Sequence, residues 1–137
     1  MKKINFLIKL KKKKKLGLVE PSEEIKNSYI SKSESNLFSV KILLENDRLE
    51  EAIALTYYSM YNMLTALLFK TGIKCENHTA SIILLKEIFD VDNSGILYAK
   101  KERIDKQYYT DFSTKKQEVI EAIKDAEEFN KKLLDFI

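Results

Sequence analysis

Glycine and proline are scarce in this sequence, and their scarcity restricts the fold class. The 137 residues contain three glycines and one proline. All-β folds need turn residues roughly every 8–12 positions, so this composition predicts helices instead. The length suits a single domain, because a second hydrophobic core would need roughly 100 further residues.

Cysteine and histidine are rarer still, which limits the available chemistry. Cys75 is the single cysteine, so no intrachain disulfide forms and we expect a reducing cytoplasm as the compartment. One cysteine and one histidine, His78, do not match the spacing of a zinc site. Glycines at positions 17, 72 and 95 make no glycine-rich phosphate loop, and no Gly-x-Ser-x-Gly motif is present. We therefore expect neither a metal nor a cofactor.

Long apolar runs are also missing. No stretch approaches the roughly 18 apolar residues of a membrane span. The segment Met1–Ile8 imitates a signal peptide, but its apolar run of about five residues is shorter than the roughly 7–15 that such a peptide needs. We expect no membrane insertion.

Positive charge is concentrated at the N-terminus, which the net charge of +3 conceals. Residues 1–15 carry eight lysines and no acidic residue. The remaining 16 basic residues face 21 acidic ones, so the rest of the chain carries −5. We expect a basic leader over residues 1–19 and a folded domain over residues 20–137. The leader could bind nucleic acid or anionic lipid, serve as a solubilising arm, or pair with the acidic body.

Apolar residues at helical spacing predict an all-α fold. The connections of about two to six residues favour antiparallel neighbours, so we predict an up-and-down antiparallel bundle of four to five main helices. Ser22, Asn77 and Ser113 are predicted N-caps, and Gly72 a C-terminal glycine. The expected helices cover residues 2–15, 23–46, 49–70, 78–89, 96–109 and a last helix that Ser113 caps.

Two of these helices have features of their own. The helix over residues 49–70 is apolar around almost its whole circumference, which is typical of a bundle centre or an interface. Its surplus apolar face favours a dimer. In the helix over residues 96–109, Leu97, Ile104 and Tyr108 are expected to face inward.

Cationic side chains near His78 are candidates for an anion site. Lys70, Lys74 and His78 follow one another at spacings of four, and Asn77 stands beside the histidine at a predicted helix start. Such a start offers unpaired backbone N–H groups to phosphate, and a neutral imidazole is suited to proton transfer. The alternative is a histidine that only packs against the turn beside a solvated loop.

Tyrosines near basic residues are candidates for stacking on nucleic-acid bases. Tyr57, Tyr58 and Tyr61 lie in the predicted helix over residues 49–70, and Tyr108 and Tyr109 follow Arg103 in the predicted helix over residues 96–109. Tyrosines at helical spacing also occur as ordinary core or interface residues, so both interpretations stay open.

The order of these motifs resembles the HEPN domain family (higher eukaryotes and prokaryotes nucleotide-binding). The family pattern is an alanine-rich helix with a Tyr-Tyr-x-Met-Tyr/Phe centre, a Leu-Leu-x-x-x-Gly end and a following histidine. The resemblance covers about residues 20–137. The matching segments are EAIALTYYSMYNMLTALL (51–68), Gly72-Ile73, His78, Ser35 to Leu44, Arg103-x-x-x-Gln107-Tyr108-Tyr109, and Phe112 to Leu134 with Ala126-Glu127-Glu128-Phe129.

This resemblance implies a dimeric helical bundle, often found beside a minimal nucleotidyltransferase as toxin and antitoxin. Catalytic members are metal-independent RNases with an Arg-x(4–6)-His signature. Here His78 matches the histidine, but positions 71–73 hold Thr71, Gly72 and Ile73 instead of an arginine. The chain is therefore closer to the uncharacterised branch of the family.

Two functions are compatible with these features. The first is a dimeric binding module that partners a minimal nucleotidyltransferase and binds a nucleotide or RNA without cutting. The second is a metal-independent endoribonuclease toxin that uses His78 with a lysine in place of the family arginine.

Overall fold

The computed structural model describes residues 2–108 and 113–137, and 78% of the protein is helical. Six helices and one small two-stranded sheet form the described ranges, which confirms the predicted all-α bundle. The elements are α1 (Lys2–Lys12), β1 (Leu16–Leu18), α2 (Glu23–Glu45), α3 (Leu49–Thr71), β2 (Ile73–Cys75), α4 (His78–Phe89), α5 (Ser94–Tyr108) and α6 (Lys116–Leu134).

Helix α3 is the centre of the bundle. It packs against α2, α5 and α6, and its side chains account for much of the buried core. Tyr57, Leu64 and Leu67 are almost completely buried, and each large apolar side chain so placed contributes about 1.5–3 kcal/mol. Within the described ranges α3 alone is long and apolar enough to cross a membrane, and 61% of its most apolar window is buried in the bundle. The chain itself therefore covers most of the surplus apolar surface.

The basic leader is folded against the body. Leu10 of α1 is buried, and Lys3 Nζ lies 3.4 Å from Glu87 Oε1 on α4. Strand β1 pairs antiparallel with β2, with Gly17 opposite Lys74. The sequence did not predict this strand pair, because three-residue segments carry no measurable periodicity.

Several helix ends follow the predicted capping residues. The Ser22 side chain accepts the Ile25 backbone N–H at 3.1 Å, and the Asn77 side chain accepts that of Ala80 at 2.9 Å. Gly72 ends α3 with a φ of 84°, a left-handed conformation that suits glycine.

The prediction that Ser113 caps the last helix is wrong. Helix α6 begins at Lys116 with Lys115 at the N-cap and no side-chain cap. The Ser113 carbonyl instead accepts a hydrogen bond from Lys106 Nζ at 2.6 Å, so the chain remains extended beyond the serine.

The inward face of α5 also differs from the expectation. Leu97 and Tyr108 are 46% and 64% exposed, while Ile96 is fully buried. The apolar residues of this helix are too few to fix its rotation, and packing against α3 turns Ile96 inward and brings Arg103 towards the core. This rotation supplies a cation to the site described below.

A buried polar cluster ties α2, α3 and α6 together. The Ser33 and Ser59 hydroxyls donate to each other's backbone carbonyls at 2.7 and 2.8 Å. Asn130 Nδ2 donates to both hydroxyl oxygens at 3.1 and 3.0 Å. Because buried polar groups are costly without partners, this cluster favours one register of the three helices.

Candidate functional site

Aromatic rings from α3 surround His78 at the first turn of α4. The imidazole stacks on Tyr61, with 3.7 Å between ring centroids and 13° between planes. Tyr58 approaches edge-on at 6.5 Å. The Tyr57 hydroxyl lies 2.8 Å from His78 Nδ1. The orientation of the imidazole is therefore fixed from three sides.

The hydrogen bond to Tyr57 indicates which imidazole nitrogen faces outward. Burial raises the pKa of the Tyr57 phenol, with Tyr61 as the next cause, so the phenol stays protonated. The protonated phenol donates to Nδ1 when the imidazole hydrogen is on Nε2, and it accepts from Nδ1–H when the hydrogen is on Nδ1. Within the described residues Nε2 forms no hydrogen bond, and it is not among the buried unpartnered atoms. Nε2 is thus the imidazole nitrogen left for a ligand, as an N–H donor in one tautomer and as an acceptor in the other.

Helix α5 adds two cations beside this ring. The Arg103 guanidinium carbon lies 5.4 Å from the Tyr57 ring centroid and 5.3 Å from that of Tyr58. Arg103 Nη1 donates to the Tyr58 hydroxyl at 2.8 Å. Lys100 Nζ donates to Thr79 Oγ1 at 2.7 Å, next to His78 in the chain. We call Lys100, Arg103 and His78 the cation cluster.

The cation cluster lacks a compensating carboxylate in the ranges that the structure describes. Neither Arg103 nor Lys100 forms an ion pair there. Burial lowers the pKa of His78, and the charges of Arg103 and Lys100 lower it further. Burial and Arg103 also lower the pKa of Lys100. Arg103 Nε is buried without a hydrogen-bond partner among the described residues. The cluster is therefore an uncompensated positive site, which favours an anion.

The structure brings together five of the residues selected from the sequence, namely His78, Tyr57, Tyr58, Tyr61 and Arg103. The other candidates lie elsewhere. Lys70 Nζ donates to the Ile137 carbonyl, and Lys74 pairs with Glu76 at 3.4 Å. Asn77 caps α4, Tyr108 is largely exposed, and Tyr109 lies outside the described residues.

Lys100 was not among the site residues predicted from the sequence. Its signal was positional: Lys100, Arg103 and Gln107 follow one another at spacings of three and four, so they share one face of a helix. The sequence could not predict that these side chains lie near His78, because that depends on how α5 is rotated against α3. Among the described residues no group of three or more histidine, cysteine, aspartate or glutamate side chains suits a metal ion.

The pKa of His78 is expected to lie below the 6.5 of an ordinary histidine. Because His78 is the only histidine, its ring signals in a proton–carbon NMR titration need no assignment by mutation. The folded protein binds this proton more weakly than the unfolded chain. The stability that the neutral ring contributes is therefore present above pH 6.5 and is lost as the pH falls through the depressed pKa.

Two lysine variants test whether Lys100 contributes to the lowered pKa of His78. Lys100→Met should raise the midpoint of the His78 titration, because it removes a neighbouring positive charge. Lys74→Met is the matched control and should leave the midpoint unchanged, since Lys74 pairs with Glu76. A wild-type midpoint at or above 6.5 would contradict the geometry of the cluster.

Comparisons with known proteins agree with the motifs. A family model described as HEPN domain matches residues 27–135. UPF0332 protein PH1297 of Pyrococcus horikoshii is 35% identical over 88 residues, which is 64% of this chain and 57% of the relative. The match therefore spans little more than half of that relative's length.

Proposed function

The chain belongs to the HEPN domain family, a nucleotide- or RNA-related module, and from that premise we propose that it binds a phosphate of a nucleotide or of RNA at the cation cluster. One observation carries this proposal: Arg103, Lys100 and Nε2 of His78 lie together, and neither cation forms an ion pair with a carboxylate among the described residues. A phosphate supplies the missing negative charge, and arginine binds it through two parallel hydrogen bonds.

The arginine of this site comes from an unexpected position in the sequence. The family signature expects it a few residues before the histidine, where this chain has Thr71, Gly72 and Ile73. Here Arg103 approaches the imidazole from α5, so an arginine and the histidine share one site without the linear motif. Lysine need not replace the arginine, which revises the role given to Lys70 and Lys74.

The biological setting belongs to the same proposal. We place the protein in the cytoplasm as a homodimer that partners a minimal nucleotidyltransferase in a toxin–antitoxin pair. Family membership supports this setting, and the exposed apolar pair Phe38 and Ile42 on α2 offers a surface for a partner. A minimal nucleotidyltransferase gene beside this one would strengthen the proposal.

A second candidate function is metal-independent RNA cleavage, which the pairing of Arg103 with His78 favours. The RNA 2′-hydroxyl would attack the adjacent phosphorus, forming a bond to the 2′-oxygen and breaking the bond to the 5′-oxygen. His78 is neutral because its pKa is lowered; with its hydrogen on Nδ1 and donated to the Tyr57 oxygen, its Nε2 would take the hydroxyl proton, and the 5′-oxygen would take a proton from water. Arg103 would hold the charge that develops on the phosphate.

RNA binding and RNA cleavage, measured with the wild type and with His78→Ala, separate the two functions. Binding of AMP or of a labelled single-stranded RNA without cleavage supports the binding module. Cleavage that disappears in His78→Ala supports the RNase, because that variant removes the only histidine. If the wild type binds neither AMP nor RNA and cleaves nothing, both proposals fail.

A further inference from the structure

A groove runs along α3 and α5 next to the cation cluster. Its volume is about 550 Å³, within the usual range of small-molecule sites. We call it the α3–α5 groove. Its lining combines three small or apolar side chains with an aromatic ring and polar groups, namely Leu43, Ala54, Leu55, Tyr58, Gln107, Lys106, Glu50 and Glu51.

Two residues of the α3–α5 groove contact the cation cluster. Tyr58 and Gln107 line the groove, and both accept hydrogen bonds from Arg103 Nη1, at 2.8 and 3.4 Å. A ligand whose phosphate lies on the cation cluster therefore has its next group directed along this wall. We infer that the groove is the base subsite for a nucleoside monophosphate unit whose phosphate the cation cluster holds, an inference that rests on the proposed function.

The chemistry of the walls suits a nucleobase. Tyr58 offers an aromatic ring, and base–aromatic stacking tolerates any base. Leu43, Ala54 and Leu55 supply apolar surface for the flat ring. The Gln107 amide provides both a donor and an acceptor for the polar edge of a base.

The charges along the groove give it a direction. Glu50 and Glu51 lie two helical turns before Tyr58 on α3, about 12 Å away at 1.5 Å per residue. This distance is comparable with the length of a mononucleotide from its phosphate to the far edge of its base. Glu51 is paired with Arg48, but the Glu50 carboxylate at that end repels a phosphate, so the charged end of the ligand belongs at Arg103 and the neutral base belongs in the groove.

Comparing AMP with ribose 5-phosphate tests the groove separately from the cation cluster, because ribose 5-phosphate lacks the base. Calorimetric titration of the wild type should show AMP binding about tenfold or more tighter, the effect of one stacked base. Equal affinities for the two probes would overturn the base subsite while leaving phosphate binding intact. If neither probe binds and tetra-adenylate RNA does not bind either, the proposed function fails and the inference fails with it.

Substitution at Ala54 fills the groove without touching the cation cluster. Ala54→Phe should reduce the affinity for AMP to that for ribose 5-phosphate, whose own affinity should not change. Ala54→Ser is the matched control, because it leaves the groove open, and it should keep the preference for AMP. Thermal unfolding by circular dichroism verifies that both variants are folded. An Ala54→Phe variant that keeps the wild-type preference for AMP would contradict the inference.

A short oligonucleotide distinguishes a free nucleotide from RNA as the source of this unit. If tetra-adenylate RNA binds more tightly than AMP and loses that affinity in Ala54→Phe, the groove takes a nucleotide of single-stranded RNA. If AMP binds more tightly and Ala54→Phe removes its advantage, the groove takes free nucleotides. If Ala54→Phe changes neither affinity, the groove binds no base.

Discussion

Replacing Arg103 with alanine should weaken the binding of AMP by about 10- to 150-fold. Hydrogen bonds to charged groups contribute roughly 1.5–3 kcal/mol, and each 1.4 kcal/mol is a factor of about ten in affinity. Arg103 is the residue of the cation cluster that can form two parallel bonds to a phosphate, and it is oriented by Tyr58 and Gln107. Isothermal titration calorimetry of the wild type and the variant measures this loss.

The chain offers a close control, because Arg48 is its only other arginine. Arg48→Ala removes the same charge, but Arg48 lies at the start of α3 and pairs with Glu51 at 2.6 Å. It should change the affinity for AMP by less than about fivefold, since an exposed ion pair contributes at most about 1 kcal/mol. Arg103→Lys should recover only part of the affinity, because lysine supplies a point charge without the planar fork. Equal losses in Arg103→Ala and Arg48→Ala would show that only net charge matters.

Gly72→Ala should cost about 2–5 kcal/mol of the free energy of unfolding. Gly72 has a φ of 84°, where an alanine pays about 1–2 kcal/mol. A Cβ at this position would also lie 2.7 Å from the Val19 carbonyl oxygen, which is backbone and cannot rotate away. Overpacking of this kind costs about 1–3 kcal/mol. Denaturation in urea, followed by circular dichroism, gives the free energy directly.

Gly95→Ala is the matched control for this substitution. No heavy atom lies within 4 Å of a Cβ at Gly95, which is at the start of α5. Alanine also favours helix over glycine by about 1 kcal/mol, so Gly95→Ala should be neutral or stabilising. Equal destabilisation by the two substitutions would show that neither the left-handed conformation nor the contact with Val19 matters.

The fold was largely predictable because local signals and packing agree. The apolar residues around almost the whole circumference of α3 predicted its central position. Three helix ends were predicted because the residue there bonds to the helix backbone, through the side chains of Ser22 and Asn77 and the N–H of Gly72. Ser113 is not the cap that its residue type predicts, since its carbonyl accepts a hydrogen bond from Lys106 and α6 begins three residues later. The β1–β2 pair escaped prediction, because it depends on a contact between distant segments.

The candidate site was predictable only in part. The histidine and the tyrosines of α3 could be selected because they lie in or near one helix and follow a family pattern. Lys100 could not be selected, because Lys70 and Lys74 are neighbours of His78 in sequence whereas Lys100 is its neighbour in space. Packing of α5 against α3 decides between these sets, and the periodicity of α5 is too weak to reveal its rotation.

The most direct test of the cation cluster is the pKa of His78 measured with and without saturating AMP. A bound phosphate beside the ring favours the imidazolium form, so NMR titration should show a higher pKa in the complex than in the free protein. By linkage, AMP should then bind more tightly as the pH falls through that pKa. An unchanged pKa for His78, under conditions where calorimetry shows AMP bound, would place the nucleotide elsewhere and contradict this account.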